Sequence, residues 1–413
     1  MQIERVETVV VGGGQAGLAA SYHLGQLGCE HLVIERDRVA ERWRSERWDS
    51  LHFQAPNWNV RLPGFDFLAS DPDAFAAKDD IVRFIESYSS HIQAPIRCGV
   101  AATRLRERPG STRLVLETSA GPIEAMNVIV ATGPYQYPAD HIEILGGVHQ
   151  VHSSQYRNPD LLPPGAVLVI GTGNSGCQIA EELCSDGRRV YLSVSVHQRT
   201  PRRYRGKDFI WWNLTLGDAD VTVEQRRAGQ GSRLMTGVGG GHDLDLRQLA
   251  ADGVVLIGRV LGSDSGRLAI ADDLACNLAH GEASLDALLR RCDAYAERNG
   301  LDFPTCGTPP VFLPDPREVI EPIRSLDLAD AGIAAIVWAN GSNCDFSWID
   351  LPVFADMTAP KRLPQHTRGV TSVPGLYFLG LPWLHKWKSA FLFGVGEDAA
   401  YIAHQIAGCS RGR

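Results

Sequence analysis

Two sets of glycines, Gly12, Gly14 and Gly17 and then Gly171, Gly173 and Gly176, share the spacing Gly-x-Gly-x-x-Gly. In each set the first glycine allows a tight strand-to-helix turn and the second lets a pyrophosphate approach the backbone. The third lets the helix pack on the strand. The phosphates then meet a helix N-terminus, where unpaired amides and the helix dipole favour negative charge. Gln15 and Ala16 lie inside the first turn, and Asn174 and Ser175 inside the second. Glu35, followed by Arg36, ends the stretch "HLVIE", where a carboxylate can accept hydrogen bonds from ribose hydroxyls. That chemistry suits a nucleotide with a free 2′-hydroxyl, and FAD is the economical choice.

The second unit repeats the frame without the acid. Counted from the glycines that close each helix, Gly28 and Gly187, the position of Glu35 falls on Val194, between Ser193 and Ser195. The stretch "VHQRTPRRYRG" follows, carrying His197, Arg199, Arg202, Arg203 and Arg205. Hydroxyls followed by guanidiniums fit the 2′-phosphate of NADPH, which a carboxylate would repel. Arg199 is taken as the phosphate contact.

Both turns require the same supports. "ETVVV" and "AVLVIG" read as buried strands, each followed by an apolar-periodic helix and a second strand, the signature of a parallel sheet with crossover helices. The expected fold class is α/β, with two Rossmann-like dinucleotide-binding domains and the NADPH domain inserted into the FAD domain. Residues 1–160 form the first part of the FAD domain, 161–320 the NADPH domain and 321–413 the second part of the FAD domain. Residues 95–130 read as β-rich, and 376–379 as a buried strand ahead of a helix that starts near Gly394 or Gly396.

Composition narrows the class. The chain has 413 residues, 44% hydrophobic and 21% charged, with a formal charge of −8, which offers nucleic acid and anionic membranes no attraction. No apolar run reaches the roughly 20 residues that span a bilayer. A cytoplasmic enzyme is expected. The nine cysteines form no Cys-x-x-Cys and no zinc spacing, and Cys177 and Cys184 read as reduced core thiols.

Further motifs carry a resemblance. "ATG" at Ala131, Thr132 and Gly133, "HSSQY" at His152–Tyr156, "RWDSLHFQAPNWNVRLPGF" and "PRRYRGKDFIWWN" resemble the class B flavoprotein monooxygenases, in particular their bacterial branch. The resemblance implies FAD, NADPH, O2 and a small organic substrate, with oxygen first added at the flavin C4a position. It places Gln54 and Asn57 near the flavin or nicotinamide, Trp43 in a half-matched second fingerprint, and Gly380 beside the flavin. Tyr156 falls on the side of nitrogen, sulfur or oxo-acid oxidation rather than Baeyer–Villiger chemistry. In the linker fingerprint Gly146 and Val148 replace a phenylalanine and a glycine. Trp211, Trp212, Trp383 and Trp387 are candidates for a lipophilic pocket, and His385 and Lys388 for polar contacts near the flavin. No nucleic acid or membrane partner is expected, and a homodimer is compatible with the sequence.

Two other classes stay open. A disulfide reductase needs a redox cysteine pair, and such enzymes end in Gly-Asp, whereas Leu381 follows Gly380 here; a carrier-protein reductase needs no such pair. A redox sensor with both nucleotide sites is the non-catalytic alternative.

Overall fold

The computed structural model describes residues 3–144, 147–226, 232–301, 313–355 and 363–411. In chain order, β1 (Glu4–Val11), α1 (Gln15–Gln26) and β2 (His31–Glu35) build the first nucleotide unit. After α2 (Lys78–His91) come β3 (Ile96–Cys98), β4 (Ala102–Glu107), β5 (Leu114–Thr118) and β6 (Ile123–Val130). The second unit comprises β7 (His149–His152), β8 (Ala166–Ile170), α3 (Asn174–Ser185), β9 (Val190–Ser193) and, beyond α4 (Phe209–Thr215), β10 (Val255–Ile257). α5 (Leu274–Arg298), β11 (Ile333–Trp338), β12 (Leu376–Phe378) and α6 (Val395–Arg411) complete the elements used below.

Two sheets result. The first runs β3-β2-β1-β6-β5-β4, with β12 also paired to β6, and β1 is parallel to both β2 and β6. The second runs β7-β11-β8-β9-β10, all parallel. Strands buried on both faces read as continuous apolar runs, which is why Val9, Val10 and Val11 are buried in β1 and Val167, Leu168 and Val169 in β8. Small residues on α1, including Ala16, Ala19 and Ala20, are buried, and the helix packs against α6. The fold is thus mixed α/β built on parallel sheets.

β7 at 149–152 and β11 at 333–338 hydrogen-bond into the second sheet, so the chain changes sheets before residue 160 and returns after residue 320. β11 reads as one more apolar run, and nothing local tells which sheet it joins. The expected strand at 376–379 is β12, and the helix expected near Gly394 is α6. Among the described residues, no helix is long and apolar enough to cross a membrane.

Candidate active site

The two turns are near copies. Gly12 has φ +119° and Gly171 φ +117°, the left-handed region that favours glycine. A Cβ on Gly12 would meet the Ala131 carbonyl at 2.5 Å, and one on Gly171 the Ala339 carbonyl at 2.5 Å. A Cβ on Gly17 would lie 1.9 Å from the Gly12 oxygen, and one on Gly176 1.9 Å from the Gly171 oxygen. Gly14, by contrast, faces open space within 4 Å. Ala131 donates its N–H to Val11 O, as Ala339 does to Ile170 O, so Ala131-Thr132-Gly133 and Ala339-Asn340-Gly341 occupy matching places.

Beyond the turns the units diverge. Glu35 Oε2 accepts from the Gly13 amide at 2.6 Å and Oε1 from the Asp37 amide at 2.9 Å, which fixes the carboxylate at the sheet end. In the second unit Val11↔Ile34 becomes Ile170↔Ser193, so the partner of Glu35 is Val194, fully buried. Ser195 next to it gives its amide to Thr172 Oγ1 at 2.9 Å.

One cavity of about 2190 Å³ joins both cradles. Its wall includes Gly12, Gly14, Gln15, Ala16, Glu35, Arg36, Trp43, Gln54, Ala131, Thr132, Gly133 and Gly380 from the first set of expected residues. From the second set it includes Gly171, Gly173, Asn174 and Ser175. Gly17 and Gly176 act from behind, by letting the helices approach. The first cradle fits a dinucleotide on three counts: a turn no Cβ could occupy, space in front of Gly14, and a carboxylate at the ribose end. The second shows the same turn without the carboxylate.

Three sets of residues depart from expectation. Arg199 is 5% exposed and does not line the cavity. Its guanidinium meets Asp245 at 2.7 Å and Glu282 at 2.9 Å. The other arginines of the basic segment also turn from the cavity, Arg202 to Asp208 at 2.5 Å and Arg205 to Asp293 at 2.7 Å, while Arg203 is exposed. Arg199 and Arg205 are thus held by carboxylates far along the chain, which local reading cannot see, and Arg202 by one six residues on. Arg199→Ala should therefore strand Asp245, while Glu282 keeps Arg247. Breaking a buried pair costs about 3–5 kcal/mol, so thermal denaturation should show a Tm lower by about 5 °C, with the preference for NADPH over NADH unchanged.

Asn57 is the second departure: it is buried away from the cavity, with Nδ2 donating to Asp71 O at 2.9 Å. Third, Trp212 is core, its Nε1 donating to Tyr204 O, whereas Trp383 and Trp387 do line the cavity. Trp211, His385 and Lys388 do not line it; Lys388 is held by Asp220 and Glu397.

The linker is legible in part. His152 lines the cavity, with Nε2 3.0 Å from Gly341 O and Nδ1 2.9 Å from Ser154 Oγ. Burial holds its pKa below the usual histidine value, so it is a neutral hydrogen-bonding tie rather than a charged group. Tyr156 is buried and donates to Glu182 at 2.7 Å; burial and that carboxylate push its phenol up. Gly146 lies outside the described residues. Sequence reasoning missed one contact, in which Asn174 Nδ2 donates to Gln54 Oε1 at 3.1 Å, across the two sheets. Neither residue's type signals it.

Comparison with known proteins follows the same lines. Residues 9–210 match the pyridine nucleotide-disulphide oxidoreductase family. A CzcO-like oxidoreductase of Geobacillus kaustophilus is 32% identical over 406 residues, covering 97% of this chain and 98% of that protein. The chain belongs to the CzcO-like oxidoreductases. Its two cradles fit two dinucleotides, as FAD and NADPH would supply. A likeness to a probable indole-3-pyruvate monooxygenase, YUCCA1 of Arabidopsis thaliana, reaches 30% identity over 50% of this chain and 52% of the plant protein. The fold of a flavin-containing monooxygenase from Stenotrophomonas maltophilia superposes with TM-score 0.67 at 19% identity, covering 99% of this chain and 100% of that one. The two α3 cysteines do not form a redox pair of the disulphide-reductase kind. Cys177 is buried in the core with its thiol pushed up by desolvation, and Cys184 donates to Asp252 O.

Proposed function

We propose that the protein is an FAD-dependent, NADPH-driven monooxygenase that inserts one oxygen atom of O2 into a small organic substrate. The reactions favoured are nitrogen or sulfur oxidation, hydroxylation or attack on an oxo acid. FAD is assigned to the cradle of Gly12–Gly17 and Glu35, and NADPH to that of Gly171–Gly176, each with its own Rossmann-like sheet, the second inserted into the first. A cytoplasmic location accords with cysteines that are free wherever described, and a homodimer is part of the proposal.

The observation that carries this reading is the single cavity common to both cradles, since hydride transfer needs donor and acceptor in one enclosure. Bound FAD supplies the redox and oxygen chemistry. The chain's own residues bind, orient and exclude water. The Gly14 and Gly173 turns receive pyrophosphates, Glu35 holds a ribose, and Asn174 with Gln54 fixes the spacing between cradles. Trp383, Trp387 and Phe393 line a wall that keeps water from the reacting centre.

The holoenzyme, reduced by NADPH without oxygen and then mixed with air, should show a transient blue-shifted flavin absorbance. Oxygen uptake should match NADPH consumed and product formed when amines, sulfides, phenols, ketones and oxo acids are screened. Prompt reoxidation with stoichiometric peroxide and no product from any class would refute the proposal. Electron delivery to a carrier protein or dye without oxygen uptake would replace it with a reductase.

A further inference from the structure

One wall of the cavity is formed by Val221–Arg226 facing Pro382–Phe393. It is aromatic: Trp387 and Phe391 have ring centroids 4.6 Å apart, and Phe391 and Phe393 are stacked at 5.8 Å with planes 3° apart. The Arg226 guanidinium lies 5.0 Å from the Trp383 ring centroid. Trp383 has φ +58°, a left-handed conformation costly for a bulky side chain and persistent only where surroundings impose it. Those surroundings are visible. Val223 donates its N–H to His385 O at 3.0 Å, and Trp387 donates to Val221 O at 2.9 Å, so the two segments are stitched by backbone bonds.

Charge on this wall is unbalanced. Lys386 and Lys388 are matched by Asp220 and Glu397. Arg233 and Arg291, both lining the cavity, share the single carboxylate of Asp218. Arg226 has no carboxylate partner among the described residues, and Arg233 Nη1 is buried without a hydrogen-bond partner. Three guanidiniums therefore line the cavity here with Asp218 as the lining carboxylate among them, Glu224 being exposed and outside the lining. A guanidinium stacked on an indole keeps its N–H edge free for bidentate pairing with a carboxylate.

We propose that this wall takes a flat aromatic substrate bearing a carboxylate, and that Arg226 receives the carboxylate while Trp383 and Trp387 flank the ring. The proposal rests on the monooxygenase reading for the statement that the occupant is a substrate. A protonated amine of the same shape is disfavoured by the excess positive charge. On the monooxygenase reading the 2′-phosphate of NADPH also enters this cavity, and the experiment separates it from the substrate carboxylate.

The FAD-loaded enzyme, without NADPH, is titrated with phenylacetate, 2-phenylethylamine and ethylbenzene while tryptophan fluorescence and flavin absorbance are followed. Phenylacetate should bind at least about tenfold tighter than the amine and lose affinity as salt is raised. Arg226→Gln should weaken phenylacetate roughly 10- to 100-fold, the scale of one charge-assisted pair, with ethylbenzene within about twofold. Arg226→Lys should restore part of the loss. Equal binding of acid and amine, or an Arg226→Gln enzyme whose affinity for phenylacetate is unchanged, overturns the proposal. So does an Arg226→Gln enzyme that loses NADP+ but not NAD+ affinity, because the guanidinium then belongs to the nucleotide. If acid binding behaves as expected while no oxygen is ever incorporated, the monooxygenase reading fails and the anion site stands.

Discussion

Gly17→Ala is expected to yield a colourless protein. The added Cβ would sit 1.9 Å from the Gly12 carbonyl oxygen, closer than any real contact, and the turn must open to admit it. Overpacking of this kind costs about 3 kcal/mol, or roughly 100-fold in FAD affinity. The ratio of flavin to protein absorbance after dialysis reads the effect. Because such a change can also disturb folding, Gly14→Ala is the informative companion. Apart from its own chain neighbours, no protein atom lies within 4 Å of that Cβ, so the apoprotein should fold as before. Any loss of FAD there reports the approach of the ligand itself. Both variants retaining full yellow colour would remove the first turn from cofactor binding.

Gly176→Ala should separate the two nucleotide sites. Its Cβ would lie 1.9 Å from Gly171 O and 3.2 Å from Ala339 Cβ, a clash confined to the second sheet. The expected protein is yellow and folded, with affinity for NADPH about 100-fold lower and flavin reduction slowed in proportion at low NADPH. Titration with NADP+ gives the binding constant without turnover. A variant that loses FAD but still binds NADP+ would invert the assignment of the two cradles.

The turns, their strands and helices were open to sequence reading because each depends on contacts made within a few residues. Gly12 and Gly171 need their positive φ whatever else surrounds them. The absence of an acid at Val194 was equally plain by counting, and the register of β8 with β9 agrees. What resisted was anything decided at long range. Arg199 looked available because its carboxylates, Asp245 and Glu282, lie far along the chain. Asn57 looked polar enough to face a ligand, yet its amide serves Asp71 O. Arg226 gave no signal, since its meaning comes from Trp383, which only the fold brings beneath it. The place of β11 in the second sheet is hidden for the same reason, its apolar run being acceptable to either sheet.

Gln54 is gripped twice from across the chain, its side-chain oxygen by Asn174 and its carbonyl by Arg202, which Asp208 holds in turn. A hinge between the two halves would have to tear both grips, one of them charged and buried. Spent nicotinamide is therefore expected to leave through the rim, with the halves still clasped, so that the distance across which electrons jump is the same at every turnover.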